Sequence, residues 1–296
     1  MKIVVLDGYT ENPGDISWGP IEALGEVTVY DRTAYEESPL IAERIGDADV
    51  IVINKTPISK ETMDKCPNLK AIAVLATGYN VVDYEYAKSK GIQIFNAPGL
   101  NANAVAELTI SKMLDISRGT FTANYDVKVK HEWNKYKFEG RELRGKTLGV
   151  MGFGRIGKRV GELGRAFGMT VVAYDPFLKP EDFEKEHATG MSVDEMLKVA
   201  DFVSIHVPLT PETKDLFNAK SIAEMKDDAV VLNMSRGGIV NEKDMYEALK
   251  AGKIGGYAAD VMENELAGSG LTGDDTFASP LFECDNFIVS PHIGAQ

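Results

Sequence analysis

The sequence predicts an α/β protein made of two successive doubly wound units, each with a parallel sheet. Three observations predict it. The chain has 296 residues, and at about 150 residues per domain that length suggests two domains. Short β-rich apolar runs alternate with helical patterns along almost its whole length. The runs lack polar alternation, which suits parallel strands covered on both faces.

The first set of runs is Ile3–Leu6, Val27–Tyr30, Val50–Ile53, Ala71–Leu75 and Ile92–Phe95. Helical patterns fall between them near Pro39–Ile45, Lys60–Lys65 and Asp83–Lys90. Asn96-Ala97-Pro98-Gly99 then breaks the pattern before a long helical stretch, Ala104–Ser117. The second set is Thr147–Met151, Thr170–Ala173, Phe202–Ile205, Ala229–Asn233, Ile254–Ala258 and Phe287–Ser290. Its first helix, about Ile156–Phe167, carries Ile156, Val160, Leu163 and Phe167 on one apolar stripe. Gly119–Lys146 stands apart: it is polar, only partly periodic and rich in aromatics (Phe121, Tyr125, Trp133, Tyr136, Phe138). Exposed aromatics of that kind suit a partner subunit. Gly268–Ser279 reads as a long polar loop.

Composition narrows the function classes. Hydrophobic residues are 44% and charged residues 26%, the mix of a globular chain that can bury sizeable cores. The formal net charge of −13 disfavours nucleic acid, whose phosphates need cationic neutralisation. Cys66 and Cys284 lie in no CxxC pair, so neither a disulfide framework nor a metal site is expected, and a reducing cytoplasm fits. No apolar run approaches the ~20 residues that span a bilayer.

Gly152-Phe153-Gly154-Arg155-Ile156-Gly157 is a GxGxxG between a predicted strand and an amphipathic helix. In that context Gly152 permits the tight turn, Gly154 admits pyrophosphate to the backbone and Gly157 lets the helix pack on the strand. The helix start, with Arg155 and Ile156, offers N–H groups and a positive dipole end to the anion. Asp175, at the end of the next strand, can accept from ribose hydroxyls and would repel a 2′-phosphate, which favours NAD over NADP.

Three side chains near strand ends suit a nicotinamide oxidoreductase acting on a 2-oxo acid. Arg236 follows Ala229–Asn233 and could grip a carboxylate with its guanidinium fork. His292, in Ser290-Pro291-His292-Ile293-Gly294, could exchange a proton near neutral pH. Glu265 could pair with it and favour the imidazolium. His131, His187 and His206 compete for the acid's role; the first two fall in polar stretches, and His206 could line the cofactor groove.

Together with Val105-Ala106-Glu107 and the stretches Asn96–Asn101 and His206–Thr213, these motifs make the whole chain resemble the NAD-dependent D-2-hydroxyacid dehydrogenases. The resemblance implies a Rossmann domain, residues 99–290, inserted in a flavodoxin-like substrate domain of residues 1–98 plus 291–296. It implies that Arg236 binds the carboxylate and carbonyl, that His292 is the acid in reduction and base in oxidation, and that Glu265 pairs with His292. Backbone N–H groups of Thr77 and Gly78 would meet the carboxylate, with Asn101 also at the substrate. Asp260 would sit near the nicotinamide, and His206, Val207, Pro208 and Thr213 would flank the cofactor. A homodimer through the Rossmann domain and residues 119–146 would follow. Two departures stand out. Leu266 replaces the proline that often follows the glutamate. The chain also stops at Gln296, where family members usually continue into a helix, so truncation is expected.

Val52–Pro57 and Ala76–Asp83 look most like the glycerate dehydrogenases, also called hydroxypyruvate reductases. Lys55, after a strand end, could hydrogen-bond a small polar substrate. Alternatives are 3-phosphoglycerate, a branched or aromatic 2-oxo acid in a pocket lined by Tyr79, and an NAD-sensing corepressor-like binding protein.

Overall fold

The computed structural model describes residues 1–263, 265 and 277–295. Leu266 and the loop from Gly268 to Thr276 lie outside the described residues. The chain divides into two compact units, with the break between Leu100 and Asn101.

The first unit holds strands β1 (Lys2–Val5), β2 (Glu26–Val29), β3 (Val50–Ile53), β4 (Ala71–Val74) and β5 (Gln93–Asn96). All pair in parallel in the order β2-β1-β3-β4-β5, the flavodoxin-like arrangement. Ile51, Ile53 and Ile72 from the central strands pack with Ile41 and Ile45 of helix Pro39–Ile45 in one buried cluster. Helix starts follow local chemistry. The side chains of Ser38, Ser59 and Asp83 accept backbone N–H groups that the first turns of Pro39–Ile45, Lys60–Lys65 and Tyr84–Ser89 leave unpaired.

The second unit holds β6 (Thr147–Met151), β7 (Thr170–Tyr174), β8 (Thr189–Gly190), β9 (Phe202–Ile205), β10 (Val230–Asn233), β11 (Gly256–Ala259) and β12 (Phe287–Val289). Its order is β12-β11-β10-β9-β6-β7-β8, parallel throughout. The strand order reverses between β6 and β9, and ligands of open α/β sheets bind outside the strand ends at such a switch point. Two buried clusters cover the two faces. Phe202, Leu232 and Ala258 lie in one with helix Ala102–Arg118; Val203, Val231 and Tyr257 lie in the other with helix Glu242–Lys250. The doubly wound architecture read from the sequence is therefore present in both units.

Two elements depart from the sequence reading. Strand β8 has two residues without an apolar run. The Gly119–Lys146 stretch contains a helix, Thr120–Lys128, and a 3-10 turn, Lys135–Lys137. Phe121 is 70% exposed, Trp133 89% and Tyr136 78%, so these aromatics face outward. Residues 291–295 group with the second unit, where the buried Asp260 carboxylate takes the N–H groups of Ile293 and Gly294. No helix among the described residues is long and apolar enough to cross a membrane.

Candidate active site

The glycine loop of the second unit leads from β6 into helix Arg155–Ala166. Gly152 has φ +88°, and a Cβ there would meet the His206 carbonyl oxygen at 2.7 Å. A Cβ on Gly157 would lie 2.0 Å from the Gly152 carbonyl oxygen, so only glycine lets the helix start this close to the strand. Gly154 differs, since a Cβ there meets nothing within 4 Å. Gly152 and Gly157 are needed by the fold. Gly154 faces open space at a helix N-terminus, where a pyrophosphate would fit.

Asp175, just past β7, closes this cradle. One carboxylate oxygen accepts from Phe153 N–H at 2.9 Å and the other from Phe177 N–H at 3.0 Å. The loop and the carboxylate are thus fixed to each other, and lone pairs remain for ribose hydroxyls. Arg155 and Ile156 form the first helical turn. Val207 and Pro208 follow His206 beyond β9, and Thr213 Oγ1 donates to the Pro208 carbonyl at 2.6 Å, fixing that stretch. These residues fit NAD.

His206 lies differently from a groove-lining acid. Its Nε2 is 2.7 Å from Ser204 Oγ, back along β9, and its carbonyl walls the glycine loop. Burial pushes its pKa down to about 3, so it stays neutral and cannot supply a proton near pH 7. His131 and His187 are exposed, each with positive φ. Among the described residues, His292 is the histidine that meets a carboxylate: Nδ1 lies 2.9 Å from Glu265 Oε1, both side chains one-third exposed. With the proton on Nδ1 donated to Glu265, Nε2 is the nitrogen left for a substrate.

The loop carrying His292 is pinned on both sides. Asp260 is 2% exposed; it accepts from Ser290 Oγ and from the N–H groups of Ile293 at 3.0 Å and Gly294 at 2.8 Å. Between these anchors the chain turns sharply: His292 N–H donates to the Ser290 carbonyl and its φ is +53°. That left-handed region is uncommon for a side-chain-bearing residue, and here the bonds on either side hold His292 in it. The Asp260 carboxylate, read from the sequence as a cofactor contact, therefore has a definite duty within the protein.

Arg236 follows β10 in a turn built by Asn233, a fully buried residue that sequence reasoning passed over. Asn233 Oδ1 accepts from Ser235 N–H and Oγ, and Nδ2 donates to the Arg236 carbonyl at 2.8 Å. Its only sequence signal is an amide ending an otherwise apolar strand. Arg236 Nη1 donates to the Ser235 carbonyl at 2.7 Å, and the group is half-buried. Glu242, whose pKa is raised by burial, accepts the Glu263 N–H at 2.8 Å and so fixes the chain two residues before Glu265.

Asn101 sits at the N-cap of helix Ala102–Arg118. In the first unit, Thr77 and Gly78 follow β4. Thr77 Oγ1 donates to the Ala97 carbonyl, and Asn96 Nδ2 donates to the Thr77 carbonyl at 2.8 Å. Lys55 lies exposed in the turn after β3. The buried Asp7 shapes that turn, accepting the N–H groups of Asn54, Lys55 and Thr56 at 2.8–3.0 Å and Thr56 Oγ1 at 2.6 Å. Asp7 is 47–49 residues away, so no local pattern announces it.

Residues 110–294 match the family model for the NAD binding domain of D-isomer specific 2-hydroxyacid dehydrogenases. A hydroxypyruvate reductase of Blautia hydrogenotrophica is 42% identical over 301 residues, covering 99% of this chain and 90% of that protein. A D-3-phosphoglycerate dehydrogenase of Methanocaldococcus jannaschii is 40% identical, and the match covers all of this chain but 54% of that protein. Among solved structures, a D-lactate dehydrogenase from Aquifex aeolicus complexed with NAD and lactic acid superposes with a TM-score of 0.84. It is 30% identical and covers 99% of this chain and 89% of the other.

Proposed function

We propose that this chain, which belongs to the D-isomer specific 2-hydroxyacid dehydrogenase family and is an NAD-dependent oxidoreductase, reduces hydroxypyruvate to D-glycerate. The near end-to-end match to a hydroxypyruvate reductase carries the substrate assignment. Lys55, an exposed cation after β3, supports a small polar substrate. NADH supplies the hydride that reaches the carbonyl carbon.

The residues of this chain do the rest. Arg236 grips the substrate carboxylate and polarises the carbonyl oxygen, drawing on the planar donor fork of a guanidinium. His292, as imidazolium, donates the Nε2 proton to that oxygen as the hydride adds, leaving a hydroxyl and a neutral ring. Glu265 holds Nδ1–H throughout and so keeps Nε2 aimed. In oxidation the same nitrogen takes the proton back. Lys55, Thr77, Gly78 and Asn101 are assigned to substrate binding. Gly152, Gly154, Arg155, Ile156, Gly157, Asp175, His206, Val207, Pro208, Thr213 and Asp260 are assigned to NAD. The outward aromatics Phe121, Trp133 and Tyr136 are assigned to a homodimer contact, which sedimentation would check.

The test is NADH oxidation with hydroxypyruvate, glyoxylate, pyruvate and phenylpyruvate, and 3-phosphoglycerate with NAD in reverse. Hydroxypyruvate turnover well above the rest is expected. Preference for 3-phosphoglycerate or a bulky 2-oxo acid would overturn the substrate while leaving the reaction class intact.

A further inference from the structure

Helix Ala102–Arg118 runs antiparallel to β11 and covers one face of it. Three observations fix the register. A Cβ on Gly256, at the start of β11, would meet Ile116 Cδ1 at 2.5 Å. Ala258, two residues on, is buried in the same cluster as Val105 and Met113 of the helix. A Cβ on Gly294 would meet Asp260 Oδ2 at 2.9 Å and Leu108 Cδ2 at 3.6 Å. Gly256, Ala258 and Asp260 therefore share the face that the helix covers, as the two-residue period of a strand requires. Leu108, Lys112 and Ile116, spaced four apart, form the helical row above them.

Lys112 occupies the middle of that row, over Ala258, and is 7% exposed. Helical side chains lean toward the helix N-terminus, which here is the Leu108 end, where Asp260 lies. Burial works against its charge; Asp260 from the sheet and Asp115 from its own helix work for it. A buried ammonium costs stability that an apolar side chain would not.

We propose that Lys112 is a positioning residue: its ammonium is the counter-charge of the buried Asp260 carboxylate, which in turn holds Ser290, Ile293 and Gly294 and so fixes His292. This rests on the reading of His292 as the proton donor. Without the ammonium the buried carboxylate loses an opposite charge that favours its ionised form, and a protonated carboxyl holds the three donors less well.

The experiment compares wild type with Lys112→Met, Lys112→Gln and Lys112→Arg. Two quantities are read: the pH profile of kcat/KM, on whichever 2-oxo acid wild type reduces best, and Tm at pH 7. Lys112→Met is expected to melt at a higher temperature than wild type and yet lose activity. The acid limb of its kcat/KM profile moves up by about one pH unit, a roughly tenfold loss on that limb. Lys112→Arg keeps the limb in place. Lys112→Gln carries the same test should the Met variant not fold. An acid limb unmoved in Met and Gln overturns the proposal, whatever happens to Tm, because a packing role would leave it there. A limb displaced equally in Arg also overturns it. A wrong hydroxypyruvate assignment changes the substrate used but not this comparison. Wild-type inactivity on every 2-oxo acid would sink the mechanism itself, and with it this role, before any variant is made.

Discussion

The backbone N–H of Asp260 donates to the carbonyl of Asn233 at 3.0 Å, and that bond joins the two loops that carry the proposed chemistry. On one side the Asn233 amide shapes the turn of Arg236. On the other the Asp260 carboxylate shapes the turn of His292. Two adjacent parallel strands, β10 and β11, thus anchor the loops of the cation and of the acid at a common, buried footing.

Asn233→Ala should therefore cost both stability and catalysis. It strips Ser235 and the Arg236 carbonyl of their partner inside the protein, at about 1–3 kcal/mol. Urea unfolding reads the first effect. The second should show as KM rising by roughly tenfold for the 2-oxo acid, about 1.4 kcal/mol, since Arg236 is displaced and not removed. An unchanged KM would detach Asn233 from the substrate site.

His292 and Glu265 should behave as one unit. Removing a general acid costs roughly 10²–10⁴ in rate, so His292→Ala should lose that much kcat while still binding NADH. Glu265→Gln should lose less. The double variant should be no worse than His292→Ala, because Glu265 acts through the ring it orients. Multiplying losses in steady-state kinetics would show that Glu265 has an independent role.

The three loop glycines should separate fold from binding. Gly157→Ala drives a Cβ to 2.0 Å from a carbonyl oxygen, so it should lower Tm steeply. Gly154→Ala points into open space, so Tm should hold while NADH affinity falls by an order of magnitude or so, about 1.4 kcal/mol. Calorimetry and NADH fluorescence read the two effects. Intact NADH affinity in Gly154→Ala would move the pyrophosphate elsewhere.

These residues show what a sequence discloses. The strand–glycine loop–helix setting and the pairing of His292 with Glu265 were legible because each rests on short contiguous motifs beyond strands. Strand β8 was not, since Thr189 and Gly190 carry no apolar run and are recruited by pairing with β7. Helix Thr120–Lys128 was obscured because its apolar residues do not gather on one face; Asp126 is buried while Phe121 and Tyr125 are exposed. Asp7 acts through bonds 47–49 residues away that no local spacing encodes, and Asn233, whose bonds reach only two and three residues on, carries no motif beyond an amide at a strand end. The Asp260 contacts to Ile293 and Gly294 span more than thirty residues, a separation no local pattern discloses.

Glu11 supplies a pH dependence of stability whose sign is fixed by its surroundings. Both carboxyl oxygens are buried without a hydrogen-bond partner among the described residues. Burial, reinforced by the neighbouring Asp7, raises its pKa to about 8. In the unfolded chain the same group ionises near its ordinary 4.5. The fold thus holds a proton that the unfolded chain releases, and stability declines as pH rises from 4.5 to about 8, then levels off. Glu11→Gln removes the titration while keeping the size of the side chain. Its stability relative to wild type should grow by a few kcal/mol between pH 5 and pH 8.5, at about 1.4 kcal/mol per pH unit. Urea midpoints at those two pH values measure it. A difference that stays flat with pH would mean that Glu11 ionises in the fold as it does in the unfolded chain, through a partner or a solvent path opened beside Asp7.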